Sequence, residues 1–251
     1  MKLGLIGAGN MATALARGLG EPVLVSDVDA ARAQALAEAT GGEALATNGE
    51  VAERADAVVL CHKPKQVDDV AESLGGKARA IVSILAATTT ERLEQAYPGV
   101  PVYRFIPNMP VEQGQGVLCY AAGRLAGEGP ERELLELFAR AGAIIPLDEP
   151  LLEPAMALMS CGPAFMSLVA EAFADAGAAH GLARDDAVRM AVETMAGTAA
   201  HLTAHDLDLE DLRVRVATPG GVTEKGLIAL EERGLRDACR AAVDTVVEAT
   251  R

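Results

Sequence analysis

Six residues near the start of the chain, Gly7-Ala8-Gly9-Asn10-Met11-Ala12, limit its architecture more than any other feature. They follow an apolar run, Leu3–Ile6, and lead into a stretch of helical periodicity, Met11–Leu19. The pattern fits G-x-G-x-x-G/A with Ala12 in the third position. Gly7 permits a tight strand-to-helix turn, and Gly9 leaves room for a pyrophosphate beside the backbone. A small residue at 12 lets helix and strand pack closely. At a junction of this kind the six residues predict a dinucleotide-binding βαβ unit; a glycine turn that binds nothing is the plain alternative.

Further apolar runs follow at Val23–Val25, Ala57–Cys61, Ala80–Ile84, Val102–Ile106 and Val117–Tyr120. Helical patterns such as Asp29–Ala39 and Gln66–Leu74 separate most of them. Strands alternating with helices imply right-handed crossovers and a mostly parallel sheet covered on both faces. Pro107 and Pro110 bracket a tight connection late in this half. After Pro150 the strands stop, and alanine-rich helical segments follow at about 151–159, 163–180, 185–204, 222–233 and 235–250. The expected fold is α/β: a Rossmann-like doubly wound domain over 1–149, then an all-α domain over 150–251. Leu168, Val169, Ala172, Phe173 and Ala176 make one of those helices apolar over a wide arc. Such a helix needs cover from more than one side, which predicts dimerisation through this half.

The formal net charge of -14 disfavours a nucleic-acid partner. An anionic cofactor is still admissible where helix N-termini supply local positive potential. Cys61, Cys119, Cys161 and Cys239 are scattered, and neither they nor the four histidines show metal-ligand spacing, so no metal is expected. Reduced thiols fit a cytoplasmic protein. Met1 leads directly into a strand without a signal-peptide pattern, and no run of about 18 apolar residues is expected to span a membrane.

Within the first half, Ser26-Asp27 ends the second apolar run, about where an acidic residue holds the adenosine ribose. A carboxylate there repels a 2′-phosphate and tilts the choice toward NADH. Ser26 could instead bond a phosphate, and Asp27 or Asp29 could cap the next helix. The run Ala57–Cys61 enters Cys61-His62-Lys63-Pro64 at the carboxyl edge of the sheet, where open α/β folds bind ligands. Pro64 suits the first helical position. Lys63 and His62 could act as acids, or the segment could simply line the nicotinamide.

Taken together, five ordered segments resemble the pyrroline-5-carboxylate reductase family along nearly the whole chain. They are Gly7–Ala12, Lys63-Pro64, Arg104-Phe105-Ile106-Pro107-Asn108-Met109-Pro110, Gly162-Pro163-Ala164-Phe165 and Pro219-Gly220-Gly221-Val222-Thr223. The resemblance implies reduction of a cyclic imine to proline with NAD(P)H. It also implies a dimer whose helical domains interlock, sometimes assembled into larger rings. By their chemistry, two glycines at a helix N-terminus expose backbone N–H groups suited to a carboxylate, and Thr223 adds a hydroxyl; an ordinary glycine turn with a cap is the alternative. Through the family, Thr218, Gly220, Gly221 and Thr223 contact the substrate, with Thr223 also bonding the ring nitrogen as the catalytic donor. Cys161 and Gly162 complete the substrate side. On the cofactor side stand Gly7, Ala8, Gly9, Asn10, Met11, Ser26, Asp27, His62, Lys63, Pro64 and Asn108. Arg104 and Asn108 are assigned to organising the loop.

The family loop usually reads Leu-Ser-Gly-Ser-Gly-Pro-Ala, whereas this chain has Leu158-Met159-Ser160-Cys161-Gly162-Pro163-Ala164. Ile106, Thr218 and Val222 also depart, from Met, Ser and Thr or Ala. The loop resembles that of a divergent branch including late-competence proteins, which keeps a non-catalytic cofactor-binding protein as an alternative. A related oxidoreductase on another small carboxylate or imine is a second. Hydroxyacid enzymes usually place a lysine on the first long C-terminal helix, and 163–180 contains none.

Overall fold

The computed structural model describes residues 1–249, in two compact units, Met1–Pro163 and Ala164–Ala249. The first holds eight strands: β1 (Leu3–Ile6), β2 (Leu24–Ser26), β3 (Glu43–Ala44), β4 (Ala57–Leu60), β5 (Ile81–Ser83), β6 (Val102–Pro107), β7 (Gly116–Ala122) and β8 (Gly142–Pro146). They form one sheet in the order β3-β2-β1-β4-β5-β6-β7-β8. Its helices are α1 (Asn10–Leu19), α2 (Ala30–Thr40), α3 (Asn48–Arg54), α4 (Val67–Leu74), α5 (Thr90–Ala96), α6 (Glu131–Phe138) and α7 (Leu152–Met159).

The central strands are apolar on both faces, and the side chains sort by their alternation. Leu3 and Leu5 of β1, with Ala57 and Val59 of β4, join a core with α1, α2 and α6. Ile6, with Val58 and Leu60, joins the opposite core with α3, α4 and α5. All pairings are parallel except β6 with β7. That reversal is made by the connection between Pro107 and Pro110, which continues as a 3₁₀ turn over Met109–Gln113. Each expected apolar run overlaps a strand. Two strands, β3 and β8, were not expected, because β3 is two residues long and β8 lies partly exposed at the sheet edge.

The second unit contains most of α8 (Gly162–Ala179), together with α9 (Arg184–His205), α10 (Leu209–Val216), α11 (Val222–Glu232) and α12 (Leu235–Ala249). Helix α10 lies between two of the helical segments expected from the sequence; Asp208 caps it by accepting from Glu210 N–H at 2.7 Å. Large apolar side chains stay exposed on α8 and α9, among them Met166, Leu168, Phe173, Met190 and Val192. The stretch Glu149–Ala179 is long and apolar enough by composition to cross a membrane, contrary to expectation. It runs through two helices, however, with α7 ending at Met159 and α8 starting at Gly162.

One close approach fixes how α1 lies on the sheet. A Cβ at Gly18 would stand 1.8 Å from the carbonyl oxygen of Val111, so helix α1 meets the 3₁₀ turn with no side chain between them. Gly18→Ala should therefore destabilise by about 1–3 kcal/mol through overpacking, although helix propensity alone favours alanine. Urea unfolding with an unchanged m value is the measurement; equal or higher stability would refute the close packing.

Candidate functional site

The cleft begins at Gly7, where β1 ends between β2 and β4. Gly7 N–H donates to Ser26 O at 2.8 Å, and Cys61 N–H donates to Ile6 O at 2.9 Å. Gly7 has φ +106, and a Cβ there would lie 2.9 Å from the Cys61 carbonyl carbon and oxygen. Only glycine turns the chain here.

Gly9 is glycine for a different reason. As the N-cap of α1 it has ordinary extended torsions and no side-chain cap, and nothing lies within 4 Å of an added Cβ. The protein leaves that space open, beside first-turn amides that a helix cannot satisfy internally. Such a cradle suits a phosphate group. Asn10 and Ala8 line an adjoining recess with Arg17 and Arg32, while Met11 packs partly buried against the core.

Asp27 closes the loop onto β2. Its carboxylate accepts from Ala8 N–H at 2.6 Å and from Asp29 N–H at 2.8 Å. The helix cap belongs to Asp29, which accepts from Ala31 N–H at 3.0 Å. Ser26 is buried and donates its hydroxyl to Asn48 Oδ1 at 2.6 Å. Asn48 was not singled out from sequence. It opens α3 behind a capping box between Thr47 and Glu50, and that S/T-x-x-E signature was there to be read.

Asp27, Arg32, Asn48, His62 and Lys63 line one cleft with Gly7 and Gly9. Pro64 opens the 3₁₀ turn Pro64–Gln66 that starts the next helical segment. Burial raises the Cys61 thiol far above its ordinary pKa, which keeps it protonated and chemically quiet. His62 Nδ1 lies 2.9 Å from Lys63 O, whereas its Nε2 is buried with no partner among the described residues. Burial lowers the His62 pKa. An orphaned acceptor and an open cradle in one cleft fit a dinucleotide.

Asn108 is turned to a structural task. It accepts from Val117 N–H at 2.9 Å and donates to Met159 O at 3.0 Å. Arg104 is fully buried and pairs with Glu149 at 3.0 Å and Glu153 at 2.8 Å. Glu149 also accepts from Thr90 N–H at 2.6 Å. Met159 is buried in a small core with Ile106, Cys119, Ala121 and Leu152. Ser160 donates to Pro107 O at 3.3 Å, and Cys161 is half-buried.

In the second unit, Thr218 to Gly221 form a turn closed by Gly221 N–H donating to Thr218 O at 2.9 Å. Gly220 has φ +74, and a Cβ on Gly221 would meet Thr218 Oγ1 at 2.6 Å. Gly220 N–H donates to Glu224 Oε2 at 2.7 Å, a partner the sequence reading missed. Gly221 caps α11 without a side-chain bond. The amides still unsatisfied by the helix are thus those of Val222 to Glu224. Thr223 is exposed beside them.

Comparison with known proteins bears on both regions. Residues 149–251 match the family model for pyrroline-5-carboxylate reductase dimerisation, and residues 2–87 match that for coenzyme F420-dependent NADP oxidoreductases. The pyrroline-5-carboxylate reductase of Synechocystis sp. is 31% identical over 252 residues, covering 97% of this chain and 94% of that one. The chain belongs to the pyrroline-5-carboxylate reductase family. Among solved members, the Coxiella burnetii enzyme superposes with a TM-score of 0.89 at 26% identity, covering 99% of this chain and 96% of that one. The NADP-bound Plasmodium falciparum enzyme gives 0.87 at 24% identity over 100% of this chain and 97% of that one, a likeness of fold.

For this member of the pyrroline-5-carboxylate reductase family, the two glycines of the loop make separable predictions. Gly9→Ala fills space the protein leaves empty, so stability should hold while dinucleotide affinity falls about tenfold or more through lost pyrophosphate access. Thermal unfolding and calorimetric titration measure the two effects. Unchanged affinity would mean the open space serves no ligand.

Proposed function

We propose that this protein reduces 1-pyrroline-5-carboxylate to L-proline with NAD(P)H, the last step of proline biosynthesis. The carrying observation is similarity to the Synechocystis sp. reductase over 97% of the chain, spanning both the glycine-rich cleft and the Pro219–Thr223 turn. Residues 1–149 serve as the dinucleotide-binding domain, and 150–251 supply the substrate side and the dimer contacts. The exposed apolar faces of α8 and α9 support a homodimer, which a ring of dimers would extend. The four unpaired thiols suit a cytoplasmic setting.

When bound, the nicotinamide supplies hydride to the imine carbon. The protein's share is placement and charge. Amides of Val222 to Glu224, at the start of α11, hold the substrate carboxylate, because Gly220 N–H is engaged by Glu224 and Gly221 N–H by the Thr218 carbonyl. The ring nitrogen takes a proton from solvent, so that hydride arrives at an iminium carbon, and Thr223 donates its hydroxyl to the nitrogen lone pair before that proton arrives. The open cradle at Gly9 takes the pyrophosphate, and Lys63 and Arg32 offset its charge in the cleft. The altered loop does not argue against turnover: Met159 fills a core and Ser160 bonds a backbone carbonyl. Met159 and Ser160 thus have local structural explanations.

Asp27 favours NADH. Its carboxylate lines the cleft where the adenosine ribose binds, and a second anion there meets direct repulsion.

The purified protein should oxidise NADH on addition of pyrroline-5-carboxylate, followed by absorbance. Thr223→Ala should lower kcat/KM about 10- to 100-fold, the worth of one charge-assisted hydrogen bond. An intact Thr223→Ala enzyme would remove Thr223 from the mechanism, and cofactor binding without turnover would favour the non-catalytic alternative. Asp27→Ser should shift the NADPH-to-NADH ratio of kcat/KM upward by about tenfold or more, because Arg32 and Lys63 then act unopposed. A ratio that stays put would place cofactor choice elsewhere.

A further inference from the structure

His62 stands on the cofactor side of the cleft with an unusual hydrogen-bonding state. Its Nδ1 lies 2.9 Å from the backbone oxygen of Lys63. A carbonyl oxygen only accepts, so Nδ1 carries a proton. Burial disfavours a second proton on the ring and outweighs the opposing pull of the Lys63 carbonyl. The neutral ring then presents a bare lone pair at Nε2. That atom is buried and has no partner among the described residues, so a ligand group reaches it only as the side chains covering it give way.

We propose that His62 Nε2 accepts a hydrogen bond from a hydroxyl or amide N–H of the bound nicotinamide dinucleotide, as a specificity contact and not as an acid. The inference rests on the dinucleotide reading of the cleft. Two chemical facts narrow it. Nε2 has no proton to give in this tautomer, which removes the ring as a proton donor to the imine. A phosphate has no proton to offer at neutral pH, so the partner must be a sugar hydroxyl or an amide or amino group. Lys63 and Arg32, lining the same cleft, are the groups suited to phosphate. His62 thus recognises the part of the cofactor that its cationic neighbours cannot.

The test measures binding without turnover. NADH, ADP-ribose and AMP are titrated by calorimetry into the native protein, His62→Met and His62→Gln. Methionine fills the space without an equivalent acceptor, whereas the glutamine side-chain oxygen can stand near the position of Nε2. His62→Met should bind NADH about three- to tenfold more weakly, in line with the loss of one hydrogen bond, and His62→Gln should stay within about twofold of native. A loss shared by AMP would locate the donor on the adenosine half. A loss confined to NADH would locate it on the nicotinamide group, and one seen with NADH and ADP-ribose but not AMP on the second ribose. Each of these supports the proposal. Nitrogen NMR of the native protein gives an independent reading: the unprotonated Nε2 signal should shift on adding NADH while Nδ1 keeps its proton. Native-like binding by His62→Met, or an unmoved Nε2 signal in the NADH complex, would overturn the role of His62 and leave the cleft assignment standing. Failure of the native protein to bind any of the three ligands would overturn both.

Discussion

The contact between Gly7 and the carbonyl of Cys61 is the constraint on which the nucleotide side of this molecule depends. A Cβ at Gly7 would come within 2.9 Å of backbone atoms that belong to the end of β4. Neither partner can move without breaking the parallel pairing of β1 with β4, which runs in register from Leu3 against Ala57 to Ile6 against Leu60. Because β1 is flanked by β2 on one side and β4 on the other, the connections from these strands diverge at its carboxyl end. The crevice is thus a consequence of strand order, and the glycine lets the chain leave it tightly enough to start α1 at Asn10.

Electrostatics in the cleft follow local geometry and not the net charge. The chain carries -14 overall, but at physiological salt exposed charges are screened beyond about 8 Å. Inside the cleft Asp27, the one carboxylate among the described residues that line it, is held by two backbone N–H groups. Arg32 and Lys63 then provide side-chain positive charge beside the N-terminus of α1. Neutral His62 adds an acceptor in place of a third cation. An acidic protein can therefore present a site that accepts an anion while distinguishing its parts.

Much of this was legible in the sequence because it depends on short-range rules. The central strands read clearly as apolar runs, since both faces are buried, and Gly7 to Ala12 announced the turn. What escaped depends on pairing or on partners distant in sequence. Glu43 and Ala44 carry no strand pattern and join the sheet only by pairing with Leu24 and Val25. Helix α10 is eight residues long, and its Arg213-Val214-Arg215-Val216 alternation reads as a strand as readily as the spacing of Leu209, Leu212 and Val216 reads as a helix. Asn48 was invisible as a site residue because its role comes from Ser26, 22 positions away. The separate reasons for Gly7, where backbone excludes a Cβ, and Gly9, which faces open space, depend on neighbours in space that local sequence does not carry.

Met159 and Ser160 are tied to the fold through hydrogen bonds to backbone oxygens and through packing. Three polar ties join β6 and its continuation to the segment containing α7: Arg104 to Glu149 and Glu153, Asn108 to Met159 O, and Ser160 to Pro107 O. The tie at residue 159 engages a backbone oxygen, which every residue type supplies equally. The methionine side chain is then free to fill the small core beside Ile106 and Leu152. Buried ion pairs such as those of Arg104 add little net stability against a well-packed apolar alternative, and its Nε stays without a partner among the described residues. What the arginine provides is direction: its fork fixes two carboxylates four residues apart, and so sets how the chain enters α7. With that entry fixed, and the exit held by Asn108, the residues between them answer to packing.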